Sequence, residues 1–381
     1  MIKAAYIHIP FCEHICYYCD FNKFYLEGQP VEEYLDSLGK EMQLTFMQVP
    51  TNELKTIFIG GGTPTALNVK QLEKLCEKIH QFLPQDKLIE FTFEANPGDL
   101  TKEKLHILKA AGVNRISLGV QSFSEELLKR IGRAHNVEDV YTSIQNIKET
   151  GFQNISIDLI FSLPGQTMTD FKDTLIKAFA LELPHYSGYS LIIEPKTVFY
   201  NLFKKGKLPS PGEDVEAEMY EILMGEMEKH GYKQYEISNF AKPGYESLHN
   251  LTYWNNDFYY GFGAGAHSYI NGNRRSNIGP LKKYIQTIED GSLPILEEHK
   301  VTLVEQMEEE MFLGLRKTEG VSIQQFLRKF ERDPLKIFKN ELEDLTRKNM
   351  LTINEKKIFL TKKGKLLGNE VFQSFLGVCN D

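Results

Sequence analysis

No apolar run in the 381-residue sequence approaches the ~20 residues that a bilayer-crossing helix needs, which excludes a helical membrane span. The opening MIKAAYIHIPFC is too short and too soon broken by proline for a secretory signal, so the expectation is a cytoplasmic protein. Five cysteines are too few for a disulfide scaffold in a chain this long. Basic residues are not in excess: 44 Lys and Arg against 52 Asp and Glu give a net charge of −8, which repels nucleic acid phosphates overall and leaves only a local basic patch open. There is no internal repeat and no low-complexity tract. The 41% hydrophobic and 25% charged residues are ordinary globular values, and at ~150 residues per domain the length predicts two or three domains.

From the N-terminus to about position 195, short β-rich runs alternate with stretches of helical period, the pattern of parallel βα units. Strands are predicted at 4–9, 56–60, 88–94, 114–120, 154–161 and 186–193. Over 71–82, Leu72, Leu75, Cys76, Ile79 and the following Leu83 share one helical face, so Cys76 reads as core. Thr101 starts another helix, and Gly112 and Gly151 are placed as left-handed stops. Six units emerge, two short of a full barrel. The fold class is therefore α/β, a partial six-unit βα barrel over 1–195.

After Pro195 comes the turn-rich KKGKLPSPGED, then a helix over about 215–230 and an aromatic, glycine-rich stretch. Residues 196–293 are expected to form a lid or extension of the barrel, carrying the segment HNLTYW. Residues 294–381 turn charged and helical and end in the hairpin-like MLTINEKKIFLT, a smaller, mostly α, winged-helix-like module. Winged helices often bind DNA, but Glu305, Glu308, Glu309 and Glu310 crowd its first helix and favour a packing or partner role.

Parallel βα arrays place function in the loops after the strands. Cys12, Cys16 and Cys19 form CxxxCxxC after strand one, GGGTPT follows strand two, Glu94 ends strand three, Gln121 follows strand four and Asp158 lies in strand five. A structural zinc wants four protein ligands, whereas a four-iron, four-sulfur cluster held by three cysteines keeps one iron open to a small molecule. Free buried thiols, or a zinc site completed by His14, are the alternatives. His8 in the first strand reads as structural, and Cys379 as a tail thiol.

YIHIPFCEHICYYCDF followed by IGGGTPT resembles the radical S-adenosylmethionine superfamily, within it the branch of oxygen-independent coproporphyrinogen dehydrogenases and their relatives, over essentially the whole chain. The resemblance implies a [4Fe–4S] cluster on Cys12, Cys16 and Cys19 whose open iron is chelated by S-adenosylmethionine. It implies contacts to that molecule from Tyr6, Gly61 and Glu94. A second S-adenosylmethionine site maps to Tyr18, Gly62, Thr63, Gln121, Arg133, Asp158 and Ile192. Read without the family, Arg133 is equally a solvated charge and Asp158 a partner of buried backbone. His267, in GFGAGAHSYI, matches by position a late adenosine contact; it is also an alternative haem ligand or a filler of the turn.

Three departures separate the sequence from the dehydrogenases. Phe21 stands where they carry a fourth cysteine, five residues precede Tyr6 where they carry an arm, and HNLTYW (249–254) holds the single tryptophan where they have an arginine-led segment. Together these resemble the haem chaperones of the HemW type. That resemblance implies no coproporphyrinogen oxidation, and haem bound for delivery to haem proteins, respiratory ones among them. His249 is then the candidate axial ligand, with flanking aromatics on the macrocycle. The bland alternative is a loop histidine bonded to backbone, with Trp254 as a core anchor. A homodimer and peripheral membrane contact stay open, as do the rival readings of a dehydrogenase, a methyltransferase or a haem-degrading enzyme.

Overall fold

A computed structural model describes residues 1–378; Cys379 lies outside them. Its centre is a twelve-stranded sheet. Six parallel strands, adjacent in chain order, form the middle: β1 (Ala4–Ile9), β2 (Thr56–Gly61), β3 (Glu90–Ala95), β4 (Arg115–Gln121), β5 (Asn154–Phe161) and β6 (His185–Ser190). These are the six predicted strands with ends shifted by a few residues. β4 is buried along its whole length, as a parallel strand covered by helices should be. The covering helices follow from local chemistry. Helix Val69–Phe82 begins two residues before its apolar period because Asn68 and Gln71 exchange capping bonds, and it buries Leu72, Leu75, Cys76 and Ile79 against the sheet.

Residues 233–300 widen the sheet at both edges. β7 (Lys233–Glu236) and β8 (Asn239–Ala241) add antiparallel strands beside β6. At the other edge β9 (Tyr259–Phe262) lies parallel to β1, with Tyr6 opposite Gly261, and β10 (His267–Ile270), β11 (Asn273–Asn277) and β12 (Ile295–Lys300) follow antiparallel. The sheet therefore runs past the boundary expected at 293. Helix Glu213–Lys229 packs across this region, and the shorter helix Val198–Lys204 lies against the cysteine loop, where Phe199 N donates to Tyr17 O at 3.0 Å.

A second core starts with helix Leu303–Gly314 and gathers Met307, Met311, Phe326, Phe338, Leu345, Ile358 and Phe375. Its helices pack with a three-stranded antiparallel sheet, Val321–Ser322, Leu351–Ile353 and Lys357–Leu360, in the winged-helix-like layout expected. Three acids of its first helix have partners within the protein. Glu308 is buried and accepts from the backbone of Gly377 and Val378, Glu309 pairs with Arg274, and Glu310 pairs with Lys329. Arg316, 4.3 Å above the Trp254 ring, fastens this module to the barrel. Among the described residues, no helix is long and apolar enough to cross a membrane.

Candidate functional site

At the C-terminal ends of the parallel strands a cavity of about 420 Å³ opens. Cys12, Cys16, Cys19, Tyr18, Gly61, Gly62, Thr63, Glu94, Gln121, Arg133, Asp158 and Ile192 all line it. The cysteine loop is cinched at its base, where Phe11–Cys12 pairs with Phe24–Tyr25. It is tied down at Asn22, whose side chain donates to Ala264 O (2.8 Å) and Gly279 O (3.1 Å). His8 donates from Nε2 to Asn22 O at 2.7 Å and accepts the Tyr6 hydroxyl at Nδ1, the structural role expected of it. The glycine-rich loop runs beside this, with Gly62 N on Ile9 O and Thr63 N on Phe11 O. A Cβ on Gly62 would stand 2.7 Å from Phe11 O, so only glycine permits this approach of backbone to backbone.

Burial raises the Cys12 thiol to about 11 and pushes Cys19 up as well. Cations wait for the charge that metal binding would create: Arg133 Nη1 points at Cys16 Sγ (3.4 Å), and Lys23 Nζ sits on Cys19 O (2.5 Å). Phe21, at the position of the dehydrogenases' fourth cysteine, is 63% exposed and adds no donor. Among the described residues, no three of His, Cys, Asp and Glu sit close enough to share one ion. Three thiols around one cavity, with cations behind two of them, instead suit a cluster with an open corner.

Glu94 accepts from Gly61 N at 3.2 Å, and burial followed by the nearby charge of Asp158 raises its carboxyl to about 8. Asp158 is also raised by burial, against hydrogen bonds from Ser187 and Ser117. Gln121 holds a left-handed φ of 67°, a costly conformation for a non-glycine and one that recurs at binding sites. Arg133 lies at the cavity wall. Its fork is committed within the protein, to Cys16, to Asn96 Oδ1 (2.7 Å) and to Gly119 O (2.5 Å), which leaves its buried Nε as the unpartnered donor. The sequence reading missed Asn96, although it stands two residues after Glu94 in FEANP.

Three predicted site residues lie outside this cavity. Tyr6 is half-buried, stacked on Phe58 and bonded to His8. His267 is exposed at the start of β10. His249 is at the opposite end of the barrel, in helix Leu248–Trp254, into which HNLTYW folds. It is 1% exposed, stacked on Phe58, with Nδ1 bonded to Thr56 Oγ1 (2.9 Å) and Nε2 to the Tyr253 hydroxyl (2.8 Å). Burial, then the charge of Arg115, lowers its pKa to about 3. With both nitrogens engaged, ligation of iron by His249 requires one of these bonds to break. The helix is held from beneath by Glu90, which accepts from Leu248 N (2.8 Å), His249 N (3.0 Å) and Ser247 Oγ (3.4 Å). Beyond it, between barrel and C-terminal module, a second cavity of about 370 Å³ is lined by Tyr253, Trp254, Tyr259, Tyr269, Arg274 and Phe312. Trp254 Nε1 and Asn256 Nδ2 are buried there without partners.

Comparison with known proteins agrees with this geometry. The Radical SAM superfamily model matches residues 6–178, and the HemN C-terminal domain model matches 301–367. The chain is 56% identical over 377 residues to Heme chaperone HemW of Bacillus subtilis (strain 168), covering 99% of this chain and 100% of that one. It is 47% identical over 374 residues to Heme chaperone HemW of Lactococcus lactis subsp. lactis (strain IL1403), covering 98% and 97%. Coproporphyrinogen III oxidase (HemN) from Escherichia coli, a solved structure, superposes with a TM-score of 0.85 at 24% identity, covering 98% of this chain and 90% of that one, a likeness of fold.

Proposed function

The chain belongs to the HemW family of the radical SAM superfamily, and from that premise we propose that it is a haem chaperone, binding haem and handing it to haem proteins. Its resident cofactors are a [4Fe–4S] cluster and S-adenosylmethionine at the C-terminal mouth of the barrel. Cys12, Cys16 and Cys19 hold the cluster, and Gly61 and Glu94 offer an amide edge and a carboxylate to the amino acid end of S-adenosylmethionine. Gln121, Asp158 and Ile192 bound the space left for a second molecule. When bound, the cluster supplies one-electron reducing power.

The observation that carries the haem reading is the second cavity beside HNLTYW. Its aromatic walls suit the faces of a macrocycle, while Arg274 at its edge is held by Glu309 through Nε and Nη2 and keeps only Nη1 for a propionate. Tyrosine is an accepted ligand of haem iron, and Tyr253 lines this cavity with its hydroxyl bonded to His249 Nε2, so either residue ligates iron only by giving up that bond. The recipients are haem-accepting proteins, respiratory ones among them. The sparse cysteines and the cluster chemistry favour work in a reducing compartment such as the cytoplasm.

Anaerobic haem titration of the cluster-loaded chain, read by absorbance beside Tyr253→Phe and His249→Ala, tests this. Saturable one-to-one binding, with a Soret band altered in one of the variants, is expected. Absence of saturable binding, or release of protoporphyrinogen from coproporphyrinogen in the presence of S-adenosylmethionine and reductant, would overturn it.

A further inference from the structure

Two of the three cluster cysteines are joined by a continuous polar chain that runs behind the cavity wall. Thr63 Oγ1 donates to Cys12 Sγ (3.5 Å), and Asn96 Nδ2 donates to Thr63 Oγ1 (3.0 Å). Asn96 Oδ1 in turn accepts from Arg133 Nη2 (2.7 Å), whose other arm, Nη1, reaches Cys16 Sγ (3.4 Å). The two ends come from different loops, and the middle from the end of β3. Asn96 is the one residue that can close the chain, because it needs an acceptor on one side and a donor on the other, which a carboxamide supplies and a carboxylate does not. Arg133 is further pinned to Gly119 O of β4.

We infer that Asn96 is a positioning residue for the cluster: touching no cysteine itself, it aims the Arg133 guanidinium at one cluster thiolate and the Thr63 hydroxyl at another, and so sets the cluster's reduction potential. Hydrogen bonds and positive charge at cluster sulfurs favour the reduced, more negative state, so the intact chain holds the potential up. The inference rests on the reading of Cys12, Cys16 and Cys19 as cluster ligands.

The test uses the full chain, reconstituted anaerobically with iron and sulfide and kept free of S-adenosylmethionine, so that nothing turns over. Potential is read by EPR during dithionite titration, alongside iron content and the melting of the metal-free protein. Arg133→Gln should lower the reduced-to-oxidised ratio at the wild-type midpoint roughly tenfold, a shift of about 59 mV for one electron. Asn96→Ala should shift it in the same direction by less, and the double variant should fall short of the sum, since the two act on one chain. Loss of iron from Asn96→Ala with unchanged melting of the metal-free protein also supports the inference. A wild-type potential in Asn96→Ala overturns it, as does iron loss accompanied by lowered melting, which marks a merely structural residue. If Arg133→Gln holds no iron, Asn96→Ala decides alone. Failure of the wild-type chain to assemble a cluster refutes the cysteine reading itself, and is told apart by that.

Discussion

Replacing Glu90 by alanine should loosen the HNLTYW helix while the barrel stays folded. The carboxylate is buried and takes the backbone N–H groups of Leu248 and His249 at 2.8 and 3.0 Å, two of the donors that a helix leaves unpaired at its N-terminus. Alanine strands both, at about 1–3 kcal/mol for each buried donor left without a partner. A net loss of about 3 kcal/mol raises the local opening equilibrium by roughly two powers of ten. Glutamine keeps one carbonyl oxygen but turns an N–H toward the second donor, and should cost about half as much. The sole tryptophan of the sequence, Trp254, is the last residue of this helix, so its fluorescence reports this element alone. Acrylamide quenching of Trp254 should rise in the order wild type, Glu90→Gln, Glu90→Ala, with the far-ultraviolet circular dichroism unchanged. Quenching in Glu90→Ala equal to wild type would refute the clamp.

Cys16→Ser should abolish the iron–sulfur absorbance yet leave haem binding in place, because the two cavities lie at opposite ends of the barrel; simultaneous loss of both in a folded variant would put haem on the cluster side. The raised Glu94 carboxyl gives the metal-free protein a definite pH dependence. Since Glu94 titrates near 4.5 when unfolded and about 8 when folded, the folded state binds the extra proton between these values, and stability falls as pH climbs through that window. Glu94→Gln should flatten this decline in urea midpoints measured from pH 5 to 8, and an unchanged slope would show that Glu94 is not held protonated.

What the sequence made legible was local. The six parallel strands, the cap at Thr101 and the cysteine loop each follow from residues within a few positions of one another. What it hid depends on partners far along the chain. His249 reads as a haem ligand or a loop histidine bonded to backbone until Thr56, 193 residues earlier, claims its Nδ1. Glu309 and Glu310 point to a packing or partner role, but only the folded chain shows that Arg274 and Lys329 come to meet them. Arg133 was rightly placed at the cavity, yet no pattern could say that Asn96 and Gly119 O would take one arm of its fork. β9 carries no helix of its own to mark it as a parallel strand, so its place beside β1 is a property of the assembled sheet.

That pairing has a consequence for how the protein is made. β1 leaves the ribosome about 250 residues ahead of β9, so its outer edge stays unpaired until residues 259–262 emerge, and the cysteine loop is not tied down until Ala264 and Gly279 can receive Asn22. At synthesis rates of ~5–20 residues per second, the nascent chain spends on the order of tens of seconds with an open strand edge and an untethered thiol loop. The wait defines the interval in which a holding factor, or a premature oxidant, would meet the three cysteines before their loop is tethered.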